Sequence, residues 1–172
     1  MRLAVVGSPV LDRESSRAIE SFRARHDPLA GRIPAHFTLV FPLDADAQAL
    51  ATEIRGITSS TPPVEFRLVR VSASLGIDGR SYVLLEPDVG RDRMEELHDR
   101  LYSGMLQPDL RADVGFVPHV TVGAGEAAVE CEAAAGALRQ SWRPICGRID
   151  ELVLLDLDRE SPRAFAMFSL GG

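Results

Sequence analysis

The chain contains no lysine, because all 19 of its basic side chains are arginine. This absence excludes mechanisms that need a P-loop lysine, a Schiff-base lysine or an adenylated ligase lysine. Cysteine is scarce as well: Cys131 and Cys146 form no CxxC motif, and no histidine stands near them at metal-ligand spacing. Cys131 falls on the face of a predicted helix, so we expect a buried, reduced thiol there. Nothing in the sequence supports a disulfide between the two.

Long hydrophobic runs are also missing. No apolar stretch approaches the roughly 20 residues that cross a bilayer, and Met1–Gly7 lacks the features of a signal peptide. We therefore expect a cytoplasmic protein without membrane contact. The net charge of −6 argues against a large basic surface for long nucleic acids, although it leaves room for a local positive pocket. The 172 residues, 45% of them hydrophobic, suit one compact domain or two small lobes that share a core.

Hydrophobic periodicity divides the chain into strands and helices whose order nearly repeats after half the chain. We predict strands at 2–8, 35–41, 64–76, 80–86, 119–123, 146–157 and 163–170, and helices at 13–26, 46–58, 91–106 and 126–141. An Asp78-Gly79 turn joins the third and fourth strands as a hairpin. The expected fold is α+β and spans 1–172 as one domain of two similar lobes. Two antiparallel-rich sheets would face a central cleft, with the helices outside.

One four-residue pattern occurs twice, 83 residues apart: His36-Phe37-Thr38-Leu39 and His119-Val120-Thr121-Val122. Side chains two apart on a strand point the same way, so each copy presents an imidazole beside a hydroxyl. In the first copy we expect the opposite face, with Phe37, Leu39 and Phe41, to pack beneath the helices.

Two such faces brought together would surround a small anion with two proton-transfer groups and two hydroxyl donors. Histidine titrates near neutrality and serves as either acid or base, so the set suits phosphodiester cleavage without a metal. A single copy would be explained by ordinary strand composition, since His and Thr are common in strands. Two copies in matching contexts favour a functional site.

The segments that carry the two copies, 34–42 and 116–123, resemble the two signature motifs of the 2H phosphoesterases. This superfamily includes bacterial 2′-5′ RNA ligases and RNA 2′,3′-cyclic phosphodiesterases, and the resemblance extends to chain length, motif spacing and element order. It implies a bilobal fold with a central cleft and no cofactor or metal. It also implies that His36 and His119 are the acid/base pair, while Thr38 and Thr121 bind phosphate oxygens.

The expected activity is hydrolysis of 2′,3′-cyclic phosphates on RNA ends or small nucleotides, with 2′-5′ ligation as the reverse reaction. An ADP-ribose cyclic phosphate or another cyclic nucleotide is the nearest alternative substrate. A nucleotide or RNA sensor with little turnover is the alternative class, although a pure binder has no need for two titratable groups. We expect a monomer with no obligate protein partner.

Three further residues are candidate substrate contacts. Tyr82 would stack on a base or ribose, although a core or edge tyrosine is equally ordinary. Arg80 and Arg163 stand near strand starts and would grip phosphate, although a solvated arginine is more common. The other two histidines, His26 and His98, are expected at a helix end and on a packed helix flank, and we assign them no catalytic role.

Overall fold

A computed structural model describes residues 1–111 and 113–171. Within these residues the strands are β1 (Arg2–Val10), β2 (Phe37–Asp44), β3 (Val64–Leu75), β4 (Ser81–Val89), β5 (Val120–Gly125), β6 (Ile145–Asp156) and β7 (Arg163–Ser169). The helices are α1 (Arg13–His26), α2 (Ala47–Thr58), α3 (Arg91–Leu101) and α4 (Ala128–Ser141). The α+β class is confirmed. No helix in the described part of the chain is long and apolar enough to cross a membrane.

The seven strands form one antiparallel sheet with the order β1-β2-β5-β4-β3-β6-β7. Strand β6 also pairs with β1, so the ladder returns to its first strand and curls the sheet on itself. The sequence predicts two sheets, whereas the structure joins all strands in one. Phe37 of β2 pairs with Val120 of β5, and this pairing links the two halves of the chain.

The hydrophobic core lies on the sheet face opposite the His and Thr side chains of the motifs. Phe37, Leu39, Val120 and Val122 are fully buried there. The core draws residues from all four helices, among them Ile19, Leu50, Leu97 and Ala135. Because side chains on the motif strands alternate between faces, the motif His and Thr side chains lie on the opposite face of the sheet. The helices do not pack on that face, which is called the uncovered face below.

Strand β2 differs from its prediction at its far end. The pairing of Val5 with Val40 and of Val6 with Thr38 leaves an extra residue on β2, which is a β-bulge. Val40 is buried as a result, and Phe41 is 47% exposed, so the prediction that Phe41 packs beneath the helices is wrong. The strand also continues past Pro42, which lies in the irregular stretch where a missing N–H is tolerated.

Helix α3 ends at Leu101, five residues earlier than the sequence predicts. Ser103 and Gly104 follow, and the N–H of Met105 donates to the Glu53 carboxylate at 3.2 Å instead of extending the helix. A single 3₁₀ turn, Gln107–Asp109, comes next. The apolar pattern that reaches Met105 therefore runs past the helix end, and Met105 itself is exposed.

The two cysteines are both free thiols in the structure. Cys131 is buried in the core on α4, as predicted, and its Sγ lies 3.3 Å from the carbonyl oxygen of Ser81. Cys146 is exposed on β6. The sequence expectation of a reduced, buried Cys131 is confirmed.

Candidate active site

The junction of β2 and β5 brings the two His-x-Thr motifs together. Because the pair Phe37–Val120 is antiparallel, the flanking positions bring Thr38 opposite His119 and His36 opposite Thr121. Residues directly opposite in an antiparallel ladder share a face, with Cβ atoms about 4.5–5.5 Å apart. The four polar side chains therefore form a two-by-two cluster on the uncovered face, and each imidazole faces a hydroxyl of the other motif.

The two imidazole rings are oriented by the same local hydrogen bond. His36 Nδ1 lies 2.8 Å from the carbonyl oxygen of Pro34, and His119 Nδ1 lies 2.7 Å from that of Val117. A carbonyl oxygen only accepts, so each Nδ1 carries the proton and donates it. In the neutral ring this leaves the Nε2 lone pair free for proton transfer. In both copies the acceptor is the residue two before the histidine.

Burial lowers the pKa of both motif histidines, because a half-buried site disfavours the charged imidazolium. The hydrogen bond to the preceding carbonyl opposes this effect in each case. The free protein therefore holds mostly neutral imidazoles at pH 7, and an anion bound between them would favour protonation of one.

The hydroxyls of Thr38 and Thr121 are half-buried beside the imidazoles. In the part of the chain that the structure describes, neither hydroxyl has a hydrogen-bond partner in the protein. Both are free to donate to a ligand oxygen.

A buried ion cluster on α1 lies behind His36. Arg23 is 1% exposed and donates to Asp27 at 2.9 Å, to Glu20 at 2.9 Å and to the carbonyl of Ile33 at 2.8 Å. Glu20 in turn accepts the N–H of Ala35 at 2.8 Å. These bonds fix the segment that leads into His36. Arg23 lowers the pKa of His36 and Asp27 raises it, so their charges partly cancel there.

A carboxylate that the sequence reasoning missed lies beside His119. Strand β4 pairs with β5 so that Leu85 lies opposite Val120, which puts Glu86 opposite His119 on the uncovered face. Glu86 is 9% exposed, accepts the Ser72 hydroxyl and raises the pKa of His119. The signal is a between-strand register, which local sequence does not display.

Of the three candidate substrate contacts, Tyr82 lies nearest the motifs. It is on the same face of β4 as Leu84, which pairs with Thr121. Its hydroxyl donates to Asp78, and burial together with that carboxylate raises the pKa of Tyr82 to about 12. Tyr82 therefore forms part of the wall beside the second motif.

The two arginine candidates lie farther from the motifs. Arg80 stands four residues before Leu84, about 13 Å along the strand, and its Nε is 3.3 Å from Glu126. Arg163 of β7 pairs with Asp156 of β6, and Asp156 pairs with Leu3 of β1. The first motif lies farther along β1, where Phe37 pairs with Gly7. The structure therefore leaves Arg80 at the rim and does not bring Arg163 to the site.

His98 is a buried helix residue with no place in the cluster. Its Nδ1 lies 2.8 Å from the carbonyl oxygen of Leu39, and its ring stacks on Phe116 at 3.9 Å. These contacts tie α3 to the strand of the first motif and to the segment before the second. Across residues 1–111 and 113–171, no group of three or more His, Cys, Asp or Glu side chains is arranged to hold a metal ion.

One antiparallel sheet with two His-x-Thr motifs on one face agrees with the resemblance to the 2H phosphoesterases. The sequence model of the 2′-5′ RNA ligase superfamily matches residues 11–161, and the chain belongs to that superfamily.

Two relatives from Geobacillus carry a provisional phosphoesterase name. The protein from Geobacillus sp. (strain WCH70) is 30% identical over 156 residues, which cover 88% of this chain and 87% of that protein. The protein from Geobacillus kaustophilus is 34% identical over 106 residues, or 60% of this chain, and the match spans 58% of the relative's length. These relatives support a phosphoesterase.

A solved structure of similar fold is E. coli LigT in complex with 3′-AMP. The TM-score is 0.63 at 20% identity, and the match covers 99% of this chain and 98% of LigT. At that identity the likeness shows the fold.

Proposed function

We propose that this phosphoesterase hydrolyses 2′,3′-cyclic phosphates of RNA ends or small nucleotides without a metal ion. The observation that carries the proposal is the pairing of Phe37 with Val120, which assembles both His-x-Thr motifs around one position. Two imidazoles and two unengaged hydroxyls are what a metal-free displacement at a phosphodiester requires.

The reaction needs one base and one acid. The Nε2 of one neutral histidine takes a proton from water, and the resulting hydroxide oxygen bonds to phosphorus. The bond from phosphorus to one ribose oxygen breaks, and that oxygen takes the proton from Nε2 of the other, protonated histidine. Proton exchange with water then restores the starting states. The hydroxyls of Thr38 and Thr121 donate to the nonbridging oxygens as charge builds on them.

The substrate class is supported by chemistry and by fold relatives. Opening a 2′,3′-cyclic adenosine phosphate at its 2′ ester yields 3′-AMP, which is the ligand in one LigT structure. Run in reverse, with a ribose hydroxyl in place of water, the same groups form a 2′-5′ linkage. Tyr82 would stack against the base or ribose from the wall of the site.

Phosphorus NMR tests the proposal, because it distinguishes 2′- from 3′-phosphate products. Wild type, His36→Ala and the matched control His26→Ala are incubated in EDTA with adenosine 2′,3′-cyclic phosphate, a cyclic-phosphate-ended oligonucleotide or an ADP-ribose cyclic phosphate. We expect one phosphomonoester product from wild type and from His26→Ala. For His36→Ala we expect a rate at least about 100-fold lower.

Two outcomes would contradict the proposal. Nucleotide binding without turnover by wild type would make the protein a sensor. Activity lost in EDTA and restored by one divalent metal would overturn the two-histidine mechanism.

A further inference from the structure

A row of side chains crosses four strands on the uncovered face of the sheet. Thr38 of β2 lies opposite His119, and Glu86 of β4 lies on the other side of His119. Arg70 of β3 pairs with Glu86 and completes the row. Helix α4 packs on the reverse face of β3 and β4, so Arg70 faces the same side as the motifs.

The guanidinium of Arg70 is only loosely engaged within this row. Its side chain is 69% exposed, and its nearest carboxylate contact is Glu86 Oε2 at 3.7 Å, beyond hydrogen-bond distance. Throughout the described chain, Arg70 donates no side-chain hydrogen bond. On the same strand, Arg67 is bound to Asp88 through two nitrogens.

Glu86 does not use up the Arg70 donors, because its Oε2 lies 3.7 Å from Arg70, and its Oε1 accepts the Ser72 hydroxyl. The remaining contact is a loose ion pair, and the fork of five N–H donors stays open to a ligand. A planar guanidinium on an exposed face suits a phosphate group, which it binds through two parallel hydrogen bonds.

The separation of Arg70 from the motifs decides which phosphate it meets. Two strand spacings, about 10 Å, separate the backbone of Arg70 from that of His119. The long arginine side chain covers part of this distance, but the intervening Glu86 carboxylate repels an anion placed directly between them. A group bound by Arg70 is therefore a second phosphate, separate from the one between the histidines.

We propose that Arg70 binds the 5′-phosphate of a nucleotide whose 2′,3′-cyclic phosphate lies between His36 and His119. This inference rests on the proposed function and narrows its substrate class. The protein prefers cyclic-phosphate ends that carry a 5′-phosphate, either as a monoester or as the diester of an RNA chain, over bare cyclic nucleosides.

Calorimetry tests the inference without turnover. Adenosine 3′-phosphate and adenosine 3′,5′-bisphosphate are titrated into wild type, Arg70→Gln and the matched control Arg67→Gln. We expect the 5′-phosphate to tighten binding about tenfold in wild type and Arg67→Gln. In Arg70→Gln the two ligands should bind equally, and thermal melts should show all three proteins folded.

Kinetics separate the two sources of the 5′-phosphate. The specificity constant kcat/KM is compared for adenosine 2′,3′-cyclic phosphate, its 5′-phosphorylated form and a dinucleotide that ends in a 2′,3′-cyclic phosphate. A higher kcat/KM for either phosphorylated substrate than for adenosine 2′,3′-cyclic phosphate supports the inference, provided that Arg70→Gln removes the increase. Which of the two substrates shows the increase identifies the source of the 5′-phosphate.

The result that overturns the inference is an unchanged preference in Arg70→Gln, or no preference in wild type. Equal weakening of both ligands in Arg70→Gln would also overturn it, since Arg70 would then act only as the ion-pair partner of Glu86. Failure of the proposed function looks different: wild type would turn over none of the substrates, while the calorimetric comparison would still decide the role of Arg70.

Discussion

Burial sets the protonation state of His36 and His119 before any substrate arrives. Their pKa values lie below the ordinary value of 6.5 because the half-buried site disfavours the charged ring. A two-histidine reaction needs one neutral and one protonated ring, so its rate is bell-shaped in pH and centred between the two pKa values. The pH profile of kcat/KM reports the pKa values of the free enzyme, and we predict that its maximum lies below pH 6.5. A centre at or above pH 7 would contradict the burial argument.

Glu86 provides a second test at the residue scale. Its negative charge stabilises the protonated form of His119 and so raises the pKa of that ring. In Glu86→Gln this stabilisation is lost and the pKa of His119 falls. The side of the pH–rate profile that is controlled by His119 then moves to lower pH. Proton NMR titration of the imidazole signals measures the shift directly. The exposed Glu96→Gln on α3 is the matched control, and an unmoved His119 titration in Glu86→Gln would refute the role.

At the scale of elements, α1 holds the first motif in place through the Arg23 cluster. Removing the guanidinium in Arg23→Met takes away the cationic partner of the buried Asp27 and of the part-buried Glu20. We predict a loss of about 3 kcal/mol in the free energy of unfolding by urea titration. Arg17→Met, an exposed change on the same helix, should cost less than about 0.5 kcal/mol. A loss equally small for Arg23→Met would show that the cluster does not anchor the segment before His36.

The elements themselves follow closely from local sequence. The bounds of α1 coincide with their prediction, because Asp12 caps its first turn and an apolar stripe runs along its length. Predictions fail where a distant residue intervenes. Glu53 of α2 accepts the N–H of Met105 just past the end of α3, and pairing with β1 puts the bulge into β2 that exposes Phe41.

At the scale of the whole molecule, the pairing of β2 with β5 decides the site. The four motif residues can be proposed from the sequence because one local pattern occurs twice. Glu86 and Arg70 cannot, since their approach to the motifs depends on registers among β3, β4 and β5 that no local pattern reveals. The position of Arg163 depends on a register as well, because the pairing of β7 carries it away from the motifs.

The single connected sheet also brings the two halves of the proposed site side by side. The motifs are 83 residues apart in sequence, yet one register pair makes each imidazole the neighbour of the other motif's hydroxyl. Groups that act in the same step lose their effect together when either is removed, and their contributions do not add.

The most direct test of the account is therefore kcat/KM for adenosine 2′,3′-cyclic phosphate in wild type, His36→Ala, His119→Ala and the double variant. We predict that each single variant loses at least about 100-fold and that the double variant is at most about tenfold slower than the slower single one. A double variant whose loss equals the product of the two single losses, or a single variant as active as wild type, would contradict one shared site.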